Sequence, residues 1–283
     1  MENGLIFKRF ELLQRSRGTW ESHWEEIAER VLPRSAVFTG QREAGDKRTA
    51  KLFDATASLA LERFAAAVES LLTPRGARWH TLRTSNQALN RDDDVRQYFD
   101  QVEQAMFAHR YSPKANFASQ VHEGYMSLGA FGTAGLFIDE APVRGAIYRS
   151  VHLADLFIAE NEHGMIDTVY RRFETSARNV DKMFPEGDFS DDFKKTLKDK
   201  PDQNVRLLHV VMPREDRDPM RRDRKNAVFF SGYFEIKSKH LIEEGGFATN
   251  PYIVSRYNSG PREIFGRSPA MTILPDIKMI NEM

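Results

Sequence analysis

The sequence predicts an α+β fold: a helical N-terminal part packed on a mostly antiparallel sheet, ending in the start of a long helix. Three observations carry that prediction. Apolar residues recur at helical spacing through residues 5–131. After Gly132 the pattern changes to alternation and short apolar runs, the mark of strands. Near the end, Ser268-Pro269 reads as an N-cap and a first helical residue, and Met271, Leu274, Ile277 and Met279–Ile280 follow at roughly helical spacing.

Taken in order, residues 5–16 and 20–32 are two helices separated by Gly18-Thr19, the second with Trp20, Trp24, Ile27, Ala28 and Val31 on one face. Pro33 stops it, because proline lacks the amide that a continuing helix needs. Residues 34–52 hold many charges and two glycines, and a surface arm is expected there. Asp54 or Thr56 starts a helix with a wide apolar stripe, Leu61, Phe64, Ala65, Val68, Leu71 and Leu72, which Thr73-Pro74 ends. Asp92-Asp93-Asp94 puts negative charge at the next helix N-terminus, where the dipole favours it. Its expected buried face is Val95, Tyr98, Phe99, Val102 and Met106. Asn116 is expected to cap a helix with Phe117, Val121, Tyr125 and Leu128 facing inward.

Strands are expected at 133–139, 146–152, 156–160 and 166–174, then two helical pieces at 177–184 and 190–198, then strands at 205–212, 227–235 and 252–257. No repeat and no Gly/Ser- or Pro-rich linker divides the chain. The reading gives three stretches: 1–132 mainly helical, 133–265 mainly β with short helices, and 266–283 the start of a helix. That last helix has no Gly or Asn cap and no basic last turn, so the chain is expected to stop inside an element.

Composition narrows the function. The chain of 283 residues has 41 basic and 41 acidic residues, which argues against whole-protein attraction to nucleic acid while leaving room for a locally basic face. With no cysteine, disulfides, thiolate metal sites and Cys-His nucleophiles are excluded. No apolar run approaches a membrane span. No cofactor and no metal is expected.

The candidate chemistry is thin. Gly129-x-x-Gly132-x-x-Gly135 joins a helix to a strand; a phosphate loop needs the reverse order, so a tight turn with close backbone packing is the better reading. Glu235-Ile236-Lys237 resembles half of a metal-dependent nuclease site, which would need an acidic partner such as Asp139; an exposed strand edge explains it as well. The histidines form no zinc spacing, and His80, His122, His152 and His209 read as half-buried or surface residues. Residues 214–225 mix Arg214, Arg217, Arg221, Arg222, Arg224 and Lys225 with four acids, and residues 41–51 mix Arg42, Lys47, Arg48 and Lys51 with Glu43 and Asp46. Both read first as solvated loops, with a phosphate-contacting loop the less favoured alternative because interleaved acids cancel much of the field. Trp20 and Trp24 read as core, with a contact between subunits as the alternative.

An ordered set of motifs adds a family likeness. Trp20-Glu21-x-x-Trp24-x-Glu26-Ile27-Ala28 leads into Val31-Leu32-Pro33-Arg34. Then come Phe53-Asp54-Ala55-Thr56-Ala57 and Leu71-Leu72-Thr73-Pro74-x-Gly76-x-Arg78-Trp79. Leu128-Gly129-x-Phe131-Gly132-Thr133-Ala134, Ile158-Ala159-Glu160-Asn161 and Asp167-Thr168-Val169-Tyr170-Arg171 follow. The last is Phe265-Gly266-Arg267-Ser268-Pro269-x-Met271-x-x-Leu274-Pro275-Asp276-Ile277-Lys278. Together these resemble the head-to-tail connecting (portal) proteins of short-tailed, T7-like bacteriophages, N-terminal portion only. Residues 185–203 and 214–226 are idiosyncratic. The resemblance implies a structural subunit and not an enzyme. It implies a ring of twelve copies at a capsid vertex, contacting capsid protein, terminase, tail adaptor proteins and double-stranded DNA passing non-specifically, with no membrane. It implies assembly in the host bacterial cytoplasm and a place in the virion. It places 1–265 in the portal wing and 266–283 at the start of a stem-directed helix. The alternatives are a virion scaffold or adaptor without a pore, and a metal-dependent DNA-processing nuclease.

Overall fold

The computed structural model describes residues 3–40, 45–46, 49–141, 145–218, 220–221 and 223–282. Arg42, Glu43, Lys47, Arg48 and Arg222 of the two mixed-charge stretches lie outside them. Helices and antiparallel strands are mixed, as an α+β fold requires.

Helix α1 (Asn3–Ser16) and helix α2 (Gly18–Val31) break at Arg17, one residue before the expected Gly18-Thr19. A short 3-10 turn at Pro33–Ser35 follows. Beyond it the expected surface arm is partly core: Ala36 and Phe38 are buried, and Glu25 accepts a hydrogen bond from the Phe38 amide at 2.7 Å. Helix α3 (Thr56–Leu72) starts where Asp54 accepts from the Thr56 amide at 2.8 Å. Its stripe is only half used. Leu61 and Ala65 are buried, whereas Leu71 and Leu72 face solvent.

Helix α4 (Asp93–Arg110) is capped by Asp92, whose carboxylate accepts from the Asp94 and Val95 amides. Its expected buried face is not buried. Glu103 is the one residue of this helix out of solvent, its carboxylate accepting from the Leu82 amide at 2.5 Å, and Tyr98 stands in water. The apolar period is present, but α4 rests on the body mainly through its last turns. Helix α5 (Phe117–Phe131) does bury one face, with Phe117, Tyr125, Met126, Ala130 and Phe131. Asn116 sits at its N-cap position in the left-handed region, φ 58°, where Asn is tolerated. Its side chain takes the Ser119 hydroxyl and caps no backbone amide.

The single expected sheet is two. Strands β1 (Thr133–Ala141), β2 (Gly145–Val151) and β8 (Tyr252–Arg256) form a three-stranded sheet in the order β2-β1-β8. Strands β3 (Leu156–Glu160), β4 (Ile166–Ser176), β5 (Asn204–Pro213), β6 (Phe229–Glu235) and β7 (Leu241–Phe247) form a meander in chain order. Every strand pairing among the described residues is antiparallel. Helices α6 (Ala177–Met183) and α7 (Asp191–Asp199) lie in the β4–β5 connection. The strand β7 has no counterpart in the sequence reading, because its run Leu241-Ile-Glu-Glu-Gly-Gly-Phe carries two acids and two glycines.

The outward amides of β2 are all bonded. Ala146 donates to His109 Nε2 at 2.9 Å, Tyr148 to the Ala115 carbonyl at 2.9 Å, and Ser150 to Gln120 Oε1 at 2.6 Å. The imidazole lies so close to Gly145, φ +68°, that no Cβ fits there.

One face of the larger sheet carries Phe157, Tyr170, Leu208, Val210, Met212 and Phe234 and is covered by Ile6, Phe7 and Phe10 of α1. The opposite face meets α6 and α7 on one side and the smaller sheet on the other. The two sheets join at His209. It is fully buried, against the expectation of a half-buried or surface residue: its Nδ1 lies 2.6 Å from Tyr252 Oη on β8, its Nε2 3.0 Å from Ser231 Oγ, and its ring stacks on Tyr233 at 4.0 Å. With Tyr252 and Ser231 able to satisfy both ring nitrogens, burial holds His209 in its neutral form and pushes its pKa well below 6.5.

The expected long last helix is broken. Helix α8 (Pro269–Thr272) and helix α9 (Leu274–Glu282) meet at Ile273. Pro275 supplies the reason: it has no amide to donate, and its ring crowds the carbonyl four residues back.

Candidate functional site: a clasp on the C-terminal helices

Most of the motif residues are scattered, but one set converges. The turn between α5 and β1 is held against the segment 257–268. Gly132 adopts φ +75°, and a Cβ on it would collide with the backbone of Gly266 and Arg267; a Cβ on Gly266 would collide with the Gly132 carbonyl. The two glycines therefore allow backbone-to-backbone contact. The contact is bonded throughout. Tyr257 donates its amide to the Gly132 carbonyl at 2.9 Å, Gly266 donates to Thr133 Oγ1 at 2.8 Å, and Ser268 Oγ donates to the Ala130 carbonyl at 2.7 Å. One turn back, Gly129 leaves room for Leu61 and Phe64 of α3.

Ser268 also caps α8, accepting from the Met271 amide at 3.0 Å, with Pro269 at the first helical position. The aromatic residues of α2 close the clasp. Phe265 lies 4.9 Å from Trp24 and 5.7 Å from Trp20, and Phe38 lies 5.5 Å from Trp24. Trp24 is wholly buried, so the core reading holds for it. Arg267, paired with Glu263, stacks its guanidinium 5.0 Å over the half-buried Trp20. Helix α9, which starts with Pro275 and Asp276 in its first turn, is pinned in turn. Asn281 accepts from the Phe53 and Asp54 amides at 2.9 and 3.1 Å, Lys278 pairs with Glu26, and Leu274 and Ile277 are buried.

The other motif residues stand elsewhere. Thr73, before Pro74, bonds Tyr125 Oη at 3.0 Å and accepts from Tyr111 Oη at 3.1 Å; Trp79 donates to the same Tyr111 hydroxyl at 3.0 Å. Glu160 pairs with Arg256, and Asn161 closes the β3–β4 turn by accepting from the His163 and Met165 amides, each at 3.0 Å. Tyr170 lies under α1 against Phe10, and burial pushes its phenol up to about 12. Pro33 opens the turn after α2, where Arg34 pairs with Glu123 at 2.9 Å.

Sequence reasoning missed Arg17. The residue is 1% exposed at the α1–α2 break. It donates to the carbonyls of Leu153, Leu156 and Ala154 at 3.0, 2.5 and 2.8 Å, forks onto Glu21 at 2.9 and 2.6 Å, and lies 4.0 Å over Phe157. One guanidinium thus ties both first helices to the start of β3, a use of its planar fork that lysine cannot match.

The Glu235-Ile236-Lys237 stretch has a different job from the one a nuclease would give it. Glu235 is buried, accepting from the Ser190 amide at 3.0 Å and from the hydroxyls of Ser190 and Ser238, each at 2.5 Å, while Lys237 pairs with Asp192 at 3.0 Å. Asp139 is on the other sheet, opposite Ile147. Among the described residues no three His, Asp or Glu side chains gather to hold a metal, and no helix is long and apolar enough to cross a membrane. The glycine triad is the close-packed turn expected of it, since Gly135 likewise has Leu156 against its open side.

A model of the family described as bacteriophage head to tail connecting protein matches residues 3–283. The chain is 30% identical, over 99% of its length, to a probable portal protein of Bordetella phage BPP-1. It is 25% identical, again over 99% of its length, to the portal protein of Salmonella phage epsilon15. It spans 51% of each of those relatives, about half their length.

Proposed function

The chain belongs to the bacteriophage head-to-tail connecting protein family, and we propose that it is the N-terminal portion of a portal subunit. In this reading the subunits form a closed ring, twelve copies at one capsid vertex, that carries double-stranded DNA in and out. The ring meets capsid protein, terminase and tail adaptor proteins; it is assembled in the host cytoplasm and carried in the virion. The observation that supports this best is the match of the family over residues 3–283. The proposed parts are wing for 1–132 and 133–265, and the start of a stem-directed helix for 266–283. The motif residues serve it as structure, with the clasp setting the direction in which α9 leaves the wing.

The chemistry of the chain agrees with a conduit. Its net charge is zero, and a wall past which DNA must slide gains nothing from tight base contacts. The test is electron microscopy of the reading frame that contains this chain, expressed with its capsid protein. Closed rings with a central hole at a vertex are expected. Particles that incorporate the protein without a ring would favour the scaffold or adaptor reading. Mg²⁺-dependent DNA cleavage lost in Lys237→Ala would favour the nuclease.

A further inference from the structure

Two helix faces carry exposed apolar residues, and their charges are opposite. The first is the outer ridge of α4. Val95, Phe99 and Val102 are half-buried, and Tyr98 is 62% exposed. Positions 95 and 102, and 99 and 106, repeat at seven residues and so share one side of the helix. Of the acids in residues 92–106, Asp93 pairs with Arg96, and Asp100 and Glu103 pair with Arg78, which leaves the negative charge of the ridge at its N-terminal end, on Asp92 and Asp94. Asp94 has no cationic partner among the described residues.

The second is the outer face of α1. While Ile6, Phe7 and Phe10 are buried against the larger sheet, Leu5 and Leu12 point away, 43% and 64% exposed and also seven residues apart. Lys8 and Arg9 lie between them and Arg15 beyond, and none of the three has an acidic partner among the described residues. The one acid on this face, Glu11, is taken by Lys239 at 3.4 Å.

Within one chain the two faces do not meet. Helix α1 lies on the larger sheet beside β3, and α4 is attached at its far end to β2, the edge of the smaller sheet. We infer that the α4 ridge receives the α1 face of a second copy of this chain. An apolar ridge flanked by acid meets an apolar ridge of matching spacing flanked by base, so burial drives the contact and charge sets its register and its head-to-tail sense. Such a contact joins two different surfaces and leaves one of each free, which is what a closing ring needs. The inference deepens the portal reading and rests on it for the closure alone.

The absence of cysteine makes the test clean. A Leu12→Cys chain and a Tyr98→Cys chain, both altered at exposed positions, are mixed under mild oxidation. The expected result is a mixed disulfide in about tenfold excess over either self-disulfide and over a Leu12→Cys with Met220→Cys control. Arg9→Glu in the first chain should cut the mixed product about tenfold, and Asp94→Lys in the second should restore it. No preference for the mixed product, or no rescue by the reversed pair, overturns the inference. Rings in micrographs without that preference would show that the faces are wrong and the portal reading stands. A preferred mixed disulfide without rings would keep the contact and remove the closure.

Discussion

Gly132 and Arg17 concentrate the most consequence in single residues. At Gly132 a methyl group would meet both an unfavourable φ of +75° and the Gly266 backbone. Gly132→Ala is therefore expected to lose more than about 2 kcal/mol in urea unfolding, and a loss under half that would mean the clasp relaxes easily. Arg17→Met would leave the carbonyls of Leu153, Ala154 and Leu156 without their donor. It should cost about 3 kcal/mol, with Arg17→Lys recovering little of it, since one ammonium cannot replace the fork. A fully stable Arg17→Met would show those carbonyls finding other partners. His209 links stability to acidity. In the unfolded chain it takes up a proton near 6.5, whereas its buried neutral ring does not, so the unfolded state binds more protons below that value. The stability it confers is present above pH 6.5 and is lost as pH falls below it, at up to about 1.4 kcal/mol per pH unit. Burial lowers His23 and His80 in the same direction, so the measurement is the difference between the wild-type and His209→Gln slopes from pH 6.5 to 5. Parallel slopes would sink the assignment.

Among the helices longer than nine residues, α4 is the least buried. It buries Glu103 alone, while α5 buries six residues. In hydrogen exchange of the chain held monomeric by dilution, the amides of α4 are expected to open well before those of α5, and equal protection there would mean that α4 is held within its own chain. This helix also shows what a sequence can convey. Periodicity marks α4 as a helix with an apolar side, and Asp92 marks its start, but burial depends on what arrives from elsewhere in the chain. The same limit applies to Leu71 and Leu72. Strands with alternating or branched residues were legible, β3 with its ends included, because their pattern is local. The strand β7 was not, since Glu243, Glu244, Gly245 and Gly246 are poor strand formers and only the register with β6 makes them one. Within the clasp, Ser268-Pro269 was readable as a cap and Gly129 and Gly132 as a tight turn, whereas Gly266 stood out only as part of the family motif. That Gly132 meets Gly266, and that Arg17 turns inward, depends on contacts across more than a hundred residues, and an arginine between two helices otherwise reads as surface.

Across the whole molecule one core draws on all three stretches of the chain, from Trp24 and Ile27 through Leu156 and Val211 to Leu274 and Ile277. Unfolding is expected to be a single event. Tryptophan fluorescence, to which Trp20 and Trp24 of the clasp and Trp79 outside it contribute, and far-ultraviolet circular dichroism should give the same midpoint in urea, and separated midpoints would mean the helical and β parts are independent. The treatment of β2 acquires its importance when many copies gather. A strand on the border of a sheet offers a row of donors to any similar strand that approaches, and identical subunits crowded around one axis approach constantly. Had those amides been bare, one hairpin could recruit the next without limit and grow a fibre in place of the proposed ring. His109, Ala115 and Gln120 fill the row from within the same chain. At this edge, neighbours in the proposed ring are left to recognise one another by side chains, whose geometry can stop at a fixed number of copies.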